Sequence, residues 1–240
     1  MPKIVFCSLA TLPHPISRWG GVFLILFLGM FCTQIVSAHE VKDLAQVNFV
    51  PPAPGSYRLN HIMQAPDGNV LDVDNKPQSL STFTKGKITL LSFIYTTCSD
   101  AKGCPLAYKV FYDLKREIEN TPWMHSKVRF VSLSFDPQHD TPDIMRLYGG
   151  NQLRSNKGLQ WYFLTTPSYK ELQPLLDGFG QDVSVEADPK GSSSPRAFSH
   201  VLKIFLIDET GSVREIYTSS YLVSGVVLND MKTLLMEKEK

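Results

Sequence analysis

The sequence predicts an α/β sandwich around a central mixed sheet, preceded by an N-terminal signal or anchor segment. Three observations carry this. Two near-continuous apolar runs, KITLLSFIY (residues 87–95) and VRFVSLSF (residues 128–135), have the pattern of strands buried on both faces. Each is followed by a helix-start signal and a stretch with helical spacing. The C-terminal third adds two strands joined by Glu209-Thr210-Gly211, the signature of a hairpin, so the sheet mixes strand directions.

The elements follow in order. Residues 1–38 contain Lys3 and Arg18 but no acid, and Gly20 to Ala38 carry no charge. The apolar core from Val22 to Cys32 has the length of a signal h-region, and Val36-Ser37-Ala38 supplies small residues for cleavage before His39. The same uncharged stretch is also long enough to anchor the chain in a thin bilayer. Either way the body of the protein is expected outside the cytoplasm, in a periplasm or its equivalent. Residues 39–57, with Pro51, Pro52 and Pro54, read as a linker, and residues 58–240 as the folded domain. Residues 58–84 suggest short strands with a turn at Pro66 to Asn69.

Cys104-Pro105 opens a helix, because proline is favoured where a helix has no partner for its N–H. Leu106, Val110, Leu114 and Ile118 give it an apolar stripe. Asp140-Thr141-Pro142 starts another, with Ile144, Leu147 and Tyr148 as its apolar face. WYFLTT, from Trp161, is a short strand, and residues 168–180 form a helix that stops at Gly180. Residues 181–197 read as an exposed loop, residues 200–208 as a strand, and a last helix starts near Leu228. Trp123, Trp161, Tyr162 and Phe163 read as core. With 24 basic against 23 acidic residues, nothing points to a nucleic-acid or acidic-lipid partner. A monomer is expected.

Chemistry concentrates at Cys98 and Cys104. Cys7 and Cys32 lie in the targeting segment, and bulky Met30 and Phe31 argue against lipid attachment at Cys32. An exported domain with two thiols either bridges them or uses them, since an oxidising compartment endangers a free thiol. The pair could staple a loop, cycle as a redox couple or grip a soft metal. A strand that feeds a cysteine loop into a helix favours thiolate, so a lowered pKa is expected at Cys104 and to a lesser degree at Cys98. Five residues, Ser99 to Gly103, separate the two, and Gly103 permits the turn that brings the sulfurs together.

LLSFIYTTC…CPLA (residues 90–107), FVSLSFDPQHDTPDIMRLY (130–148), WYFLTT and SHVLKIFLIDETG (199–211) resemble the Sco/SenC copper chaperones over roughly residues 58–235. The resemblance implies a thioredoxin-like fold and copper bound by two cysteines and a distant histidine, here Cys98, Cys104 and His200. It further implies a role in assembling a copper site, with a subunit of a respiratory cytochrome oxidase as recipient. The family pattern has three residues between the cysteines and aspartate before the histidine; this chain has five, and Ser199.

The residue chemistry agrees with that set, since soft thiolates select Cu(I) and imidazole suits copper in either oxidation state. The alternative is a thiol–disulfide oxidoreductase in which Cys98 and Cys104 are the catalytic pair. Among the remaining candidates, His125 and His139 read as solvated, and Asp136 as the residue that closes the turn after its strand. His39 becomes a Cu(II) chelator only if cleavage leaves it as the first residue.

Overall fold

The computed structural model describes residues 50–154, 158–185 and 198–237. The signal or anchor segment, residues 39–49 of the linker, Cys7, Cys32, His39 and residues 186–197 of the expected loop lie outside the described residues. Among the described residues no helix is long and apolar enough to cross a membrane.

Six strands form the main sheet. They are β1 (Met63–Gln64), β4 (Ile88–Ile94), β5 (Val128–Ser134), β6 (Gln160–Leu164), β9 (Lys203–Ile207) and β10 (Ser212–Thr218), in the order β1-β10-β9-β4-β5-β6. β4, β5 and β6 run parallel, while β9 pairs antiparallel with both β4 and β10. This is the mixed sheet the sequence predicts. Every residue of β4 and β5 is buried, as expected of strands covered on both sides. Two small pairs complete the strands. β2 (Asn69–Leu71) pairs with β3 (Pro77–Ser79), and β7 (Val183–Val185) with β8 (Phe198–His200).

The pleat divides the core. Phe130 and Trp161 pack on Phe111 of α2 (Cys104–Glu119). Phe93 and Phe205 pack instead on Phe179 of α4 (Tyr169–Phe179), across the sheet. α5 (Ser224–Glu237) packs against α2 and β4. α3 (Pro142–Gly149) lies on β6, and a single helical turn, α1 (Ser81–Thr84), precedes β4.

Several elements differ in detail from expectation. The buried face of α2 is Ala107, Val110, Phe111, Leu114 and Ile118, rotated so that Leu106 is only half-buried. On α3 the core-facing residue is Met145, and Leu147 is 76% exposed, because the helix lies on β6 through Tyr148 and Gly149. Trp123 is 46% exposed and carries the Lys127 ammonium over its ring. The last helix begins one turn earlier than the apolar pattern suggests, at Ser224. Residues 181–185 are not plain loop, since Val183 to Val185 form β7. The strand expected over residues 200–208 is two elements: His200 ends β8, Val201 and Leu202 intervene, and β9 starts at Lys203.

Residues 50–57, part of the expected linker, lie along α5. Asn229 donates to the Pro52 carbonyl, and the Gly55 N–H donates to Thr233 Oγ1. Tyr57 and Tyr217 both donate their hydroxyls to the buried carboxylate of Asp230. Burial and that bond push the Tyr57 hydroxyl up to about 12. Tyr57→Phe removes one charge-assisted bond while Tyr217 keeps Asp230 partnered. It is expected to lower unfolding free energy by about 1.5–3 kcal/mol in urea titrations, with the fold intact by circular dichroism. A change below about 0.5 kcal/mol would mean that the Tyr57–Asp230 bond adds nothing to the stability of the domain.

Candidate metal centre

Cys98, Cys104 and His200 meet at one point. Their ligand atoms all lie within 4.8 Å of one another, and Cys104 Sγ is 4.0 Å from His200 Nε2. Among the described residues this is the grouping of three or more metal-ligating side chains that could hold an ion. Both cysteines are free thiols. The meeting follows from topology. Cys98 sits in the loop after β4, at the sheet end where open α/β sheets bind ligands. β9 is antiparallel to β4, so the segment leading into it, with His200, reaches that same end.

Each donor is held by its own element. Cys98 closes a turn in which its N–H bonds the Tyr95 carbonyl. Asp100 caps the next turn, accepting from the Lys102 N–H, while its carbonyl accepts from the Gly103 N–H. There is little room for a side chain at Gly103, where a Cβ would stand 3.3 Å from Asp100 and 3.4 Å from the Cys98 sulfur. Cys104 is the first residue of α2 and only 1% exposed. The imidazole of His200 lies against the rings of Tyr95 and Phe135. Its Nδ1 is 3.3 Å from the Phe198 carbonyl, which assigns the proton to Nδ1 and leaves the Nε2 lone pair facing Cys104.

The electrostatics invert the sequence expectation. Cys98, not Cys104, is the acidic thiol, lowered to about 5. The main cause is a hydrogen bond from Cys104. The backbone N–H of Cys104, the Asp100 backbone and the Tyr95 hydroxyl add to it. The same sulfur–sulfur bond and burial hold Cys104 far above the ordinary thiol range. The backbone contribution is directional: a helix N-terminus aims its N–H groups at what precedes it, so those at the start of α2 face Cys98. Tyr95 in turn is pushed up to about 12, first by burial and then by its bond to Cys98.

α3 is capped by Thr141, just before Pro142, which accepts from the Ile144 N–H, and not by Asp140. Asp140 is 1% exposed and accepts four hydrogen bonds instead. They come from the N–H and hydroxyl of Thr96, the Ser134 hydroxyl and His139 Nδ1, at 3.0, 2.5, 2.6 and 3.0 Å. It therefore ties the loop that carries Cys98 to the loop after β5. His139 serves that carboxylate, and His125 bonds the Glu119 carbonyl, so both are engaged in the fold. Asp136 closes the turn after β5, where its carbonyl accepts from the His139 and Asp140 N–H groups and its carboxylate from Tyr169. Tyr95 and Asp140 are the residues that sequence reasoning missed. The sequence places Tyr95 at the end of a buried strand and Asp140 at a helix start, but gives no sign of what either touches.

Two outcomes are expected. In the reduced, metal-free chain, iodoacetamide modifies Cys98 with an inflection near pH 5, because the thiolate forms as pH rises through that value. Its rate is level by pH 7 while Cys104 stays unmodified. Cys104→Ala removes the largest cause of the shift and returns the inflection toward about 8.5. Preferential modification of Cys104 would reverse the assignment. Asp140→Asn, which cannot accept all four bonds, is expected to cost about 2–3 kcal/mol in denaturant unfolding and to raise the Cys98 inflection.

With this geometry in hand, comparison with known proteins is direct. The family model for SCO1/SenC matches residues 70–236. The SCO1 protein homolog of Bacillus subtilis (strain 168) is 28% identical over 145 residues, covering 60% of this chain and 68% of that protein. The structure of Arabidopsis thaliana ScoI with copper bound superposes with a TM-score of 0.59 at 17% identity, covering 72% of this chain and 98% of that one. BsSco is a member of the Sco family of cytochrome c oxidase assembly proteins in which a disulfide switch has been identified. It superposes with a TM-score of 0.55 at 23% identity over 74% of this chain and 98% of its own. The fold is thioredoxin-like, as the resemblance implied, and the chain belongs to the SCO1/SenC family.

Proposed function

We propose that the protein is an exported metallochaperone. It carries copper as cargo on Cys98, Cys104 and His200 and delivers it to a copper site under assembly, in a subunit of a respiratory cytochrome oxidase. The observation that carries this reading is the convergence of two thiols and one imidazole within 4.8 Å. Two sulfurs and a nitrogen make a soft donor set, which favours Cu(I) over hard cations. The Nε2 of His200 already faces Cys104, and one sulfur is already poised as thiolate. The copper-bound relative and the oxidase-assembly relative support the reading. Residues 1–38 act as a signal or membrane anchor, residues 39–49 as a spacer, and the domain works outside the cytoplasm.

A second reading is favoured by one observation: an acidic, half-buried Cys98 beside a buried, protonated Cys104. That is the asymmetry of a thiol–disulfide couple. Cys98 thiolate would attack a partner disulfide and release one partner thiolate. Cys104 would then give up its proton and attack the mixed disulfide. The second partner thiolate is released, one partner sulfur takes up the Cys104 proton, the two electrons pass to the partner, and this chain keeps a Cys98–Cys104 disulfide.

One titration separates the two. The reduced full chain is titrated with Cu(I) against a competing chelator, alongside Cys98→Ala, Cys104→Ala and His200→Ala. The chaperone reading expects one tight ion, lost with either cysteine and weakened more than about tenfold with His200→Ala, at least the loss produced by changes behind a metal's ligands. Unaltered binding in His200→Ala would overturn it. Partner-disulfide reduction that ignores both His200 and copper would establish the oxidoreductase in its place.

A further inference from the structure

Gln181 stands where the fold must decide the position of His200. α4 ends at Gly180 in the left-handed region, with φ 61°, and the Gln181 N–H returns to the Leu176 carbonyl, so the backbone at this point is fixed by the helix cap. The Gln181 side chain is 3% exposed. Its Nε2 donates to the Val201 carbonyl at 3.0 Å, one residue beyond His200, and to its neighbour Asp182 at 3.3 Å. Lys203 Nζ also reaches this cap, at the Gly180 carbonyl. Two residues further along, Val183 pairs with His200 in the β7–β8 register.

The amide thus bridges the two chain segments from which the β7–β8 pair extends. Its Oε1 is buried and has no hydrogen-bond partner among the described residues. A methionine would fill similar space but could donate to neither carbonyl. The two N–H bonds are what the amide adds, and one of them ends beside His200.

We propose that Gln181 is a positioning residue for His200: its N–H bond to Val201 sets the distance between the imidazole and the two sulfurs. The proposal deepens the copper-binding reading and rests on it for its functional meaning, but its structural content holds in the metal-free protein. Gln181 acts on the nitrogen donor alone. The sulfur loop is held separately by Thr96 and Asp140.

The test uses the full chain and Gln181→Met, which keeps size and loses both donors. In the reduced, metal-free protein, long-range proton–nitrogen spectra of the imidazoles are expected to show the His200 resonances shifted or broadened, with the Cys98 alkylation rate unchanged. With Cu(I) and a competing chelator, Gln181→Met is expected to weaken binding about tenfold in the wild-type background and less than about twofold in His200→Ala. If Gln181→Met does not fold, Gln181→Glu, which has no N–H, is read by the same criteria. Unmoved His200 resonances overturn the proposal, as does an equal loss of affinity in both backgrounds, which marks a purely structural residue. If the wild type binds no Cu(I) but the His200 resonances still move, the positioning role stands and the copper reading falls.

Discussion

The site depends on one buried carboxylate. Asp140 accepts hydrogen bonds from both polar groups of Thr96, from Ser134 at the end of β5 and from His139. In a low-dielectric interior such a network is costly unless complete, and complete it is rigid. It fastens the loop after β4 to the loop after β5, side by side at one end of the sheet. Tyr95, one residue before Thr96, then has a fixed place from which to touch Cys98 and to face His200. Without that fastening the parallel strands would still form. The five residues between the cysteines would have no firm starting point.

How much of this could be read from the chain differs from element to element. β4 and β5 were plain because strands covered on both faces need continuous apolar runs, which little else in a soluble domain imitates. The start of α2 was marked by Cys104-Pro105 and the hairpin by Gly211. The helix faces were less legible. Leu147 fits the apolar spacing of α3, yet it points to solvent because a short helix is oriented by the β6 surface beneath it rather than by its own pattern. β7 and β8 are three residues each, too short for any period to show, and they exist only through each other. That is why His200 seemed to open a long strand when it closes a short one.

The site followed the same division. The three donors could be named together because matching segments placed them, and their convergence is a property of the sheet order. Their electrostatics could not be read in the same way. The rule that a helix start acidifies a thiol is sound, but the sequence does not say which of two thiols lies in front of the N–H groups and which lies among them. Cys104 is the first residue of α2, and it turns both its thiol and its N–H toward Cys98, so the effect moved to the other sulfur. Asp140 and Gln181 were illegible for another reason. Both act through contacts with residues distant in sequence, Thr96 and Val201, which local patterns do not encode.

The different depths of the two sulfurs impose a chronology. Cys104 is sealed under its neighbours, whereas Cys98 keeps a partly open flank. A soft ion or thiol reagent arriving from solution therefore meets Cys98 or the half-buried imidazole of His200 first, and the inner sulfur of Cys104 closes the contact last.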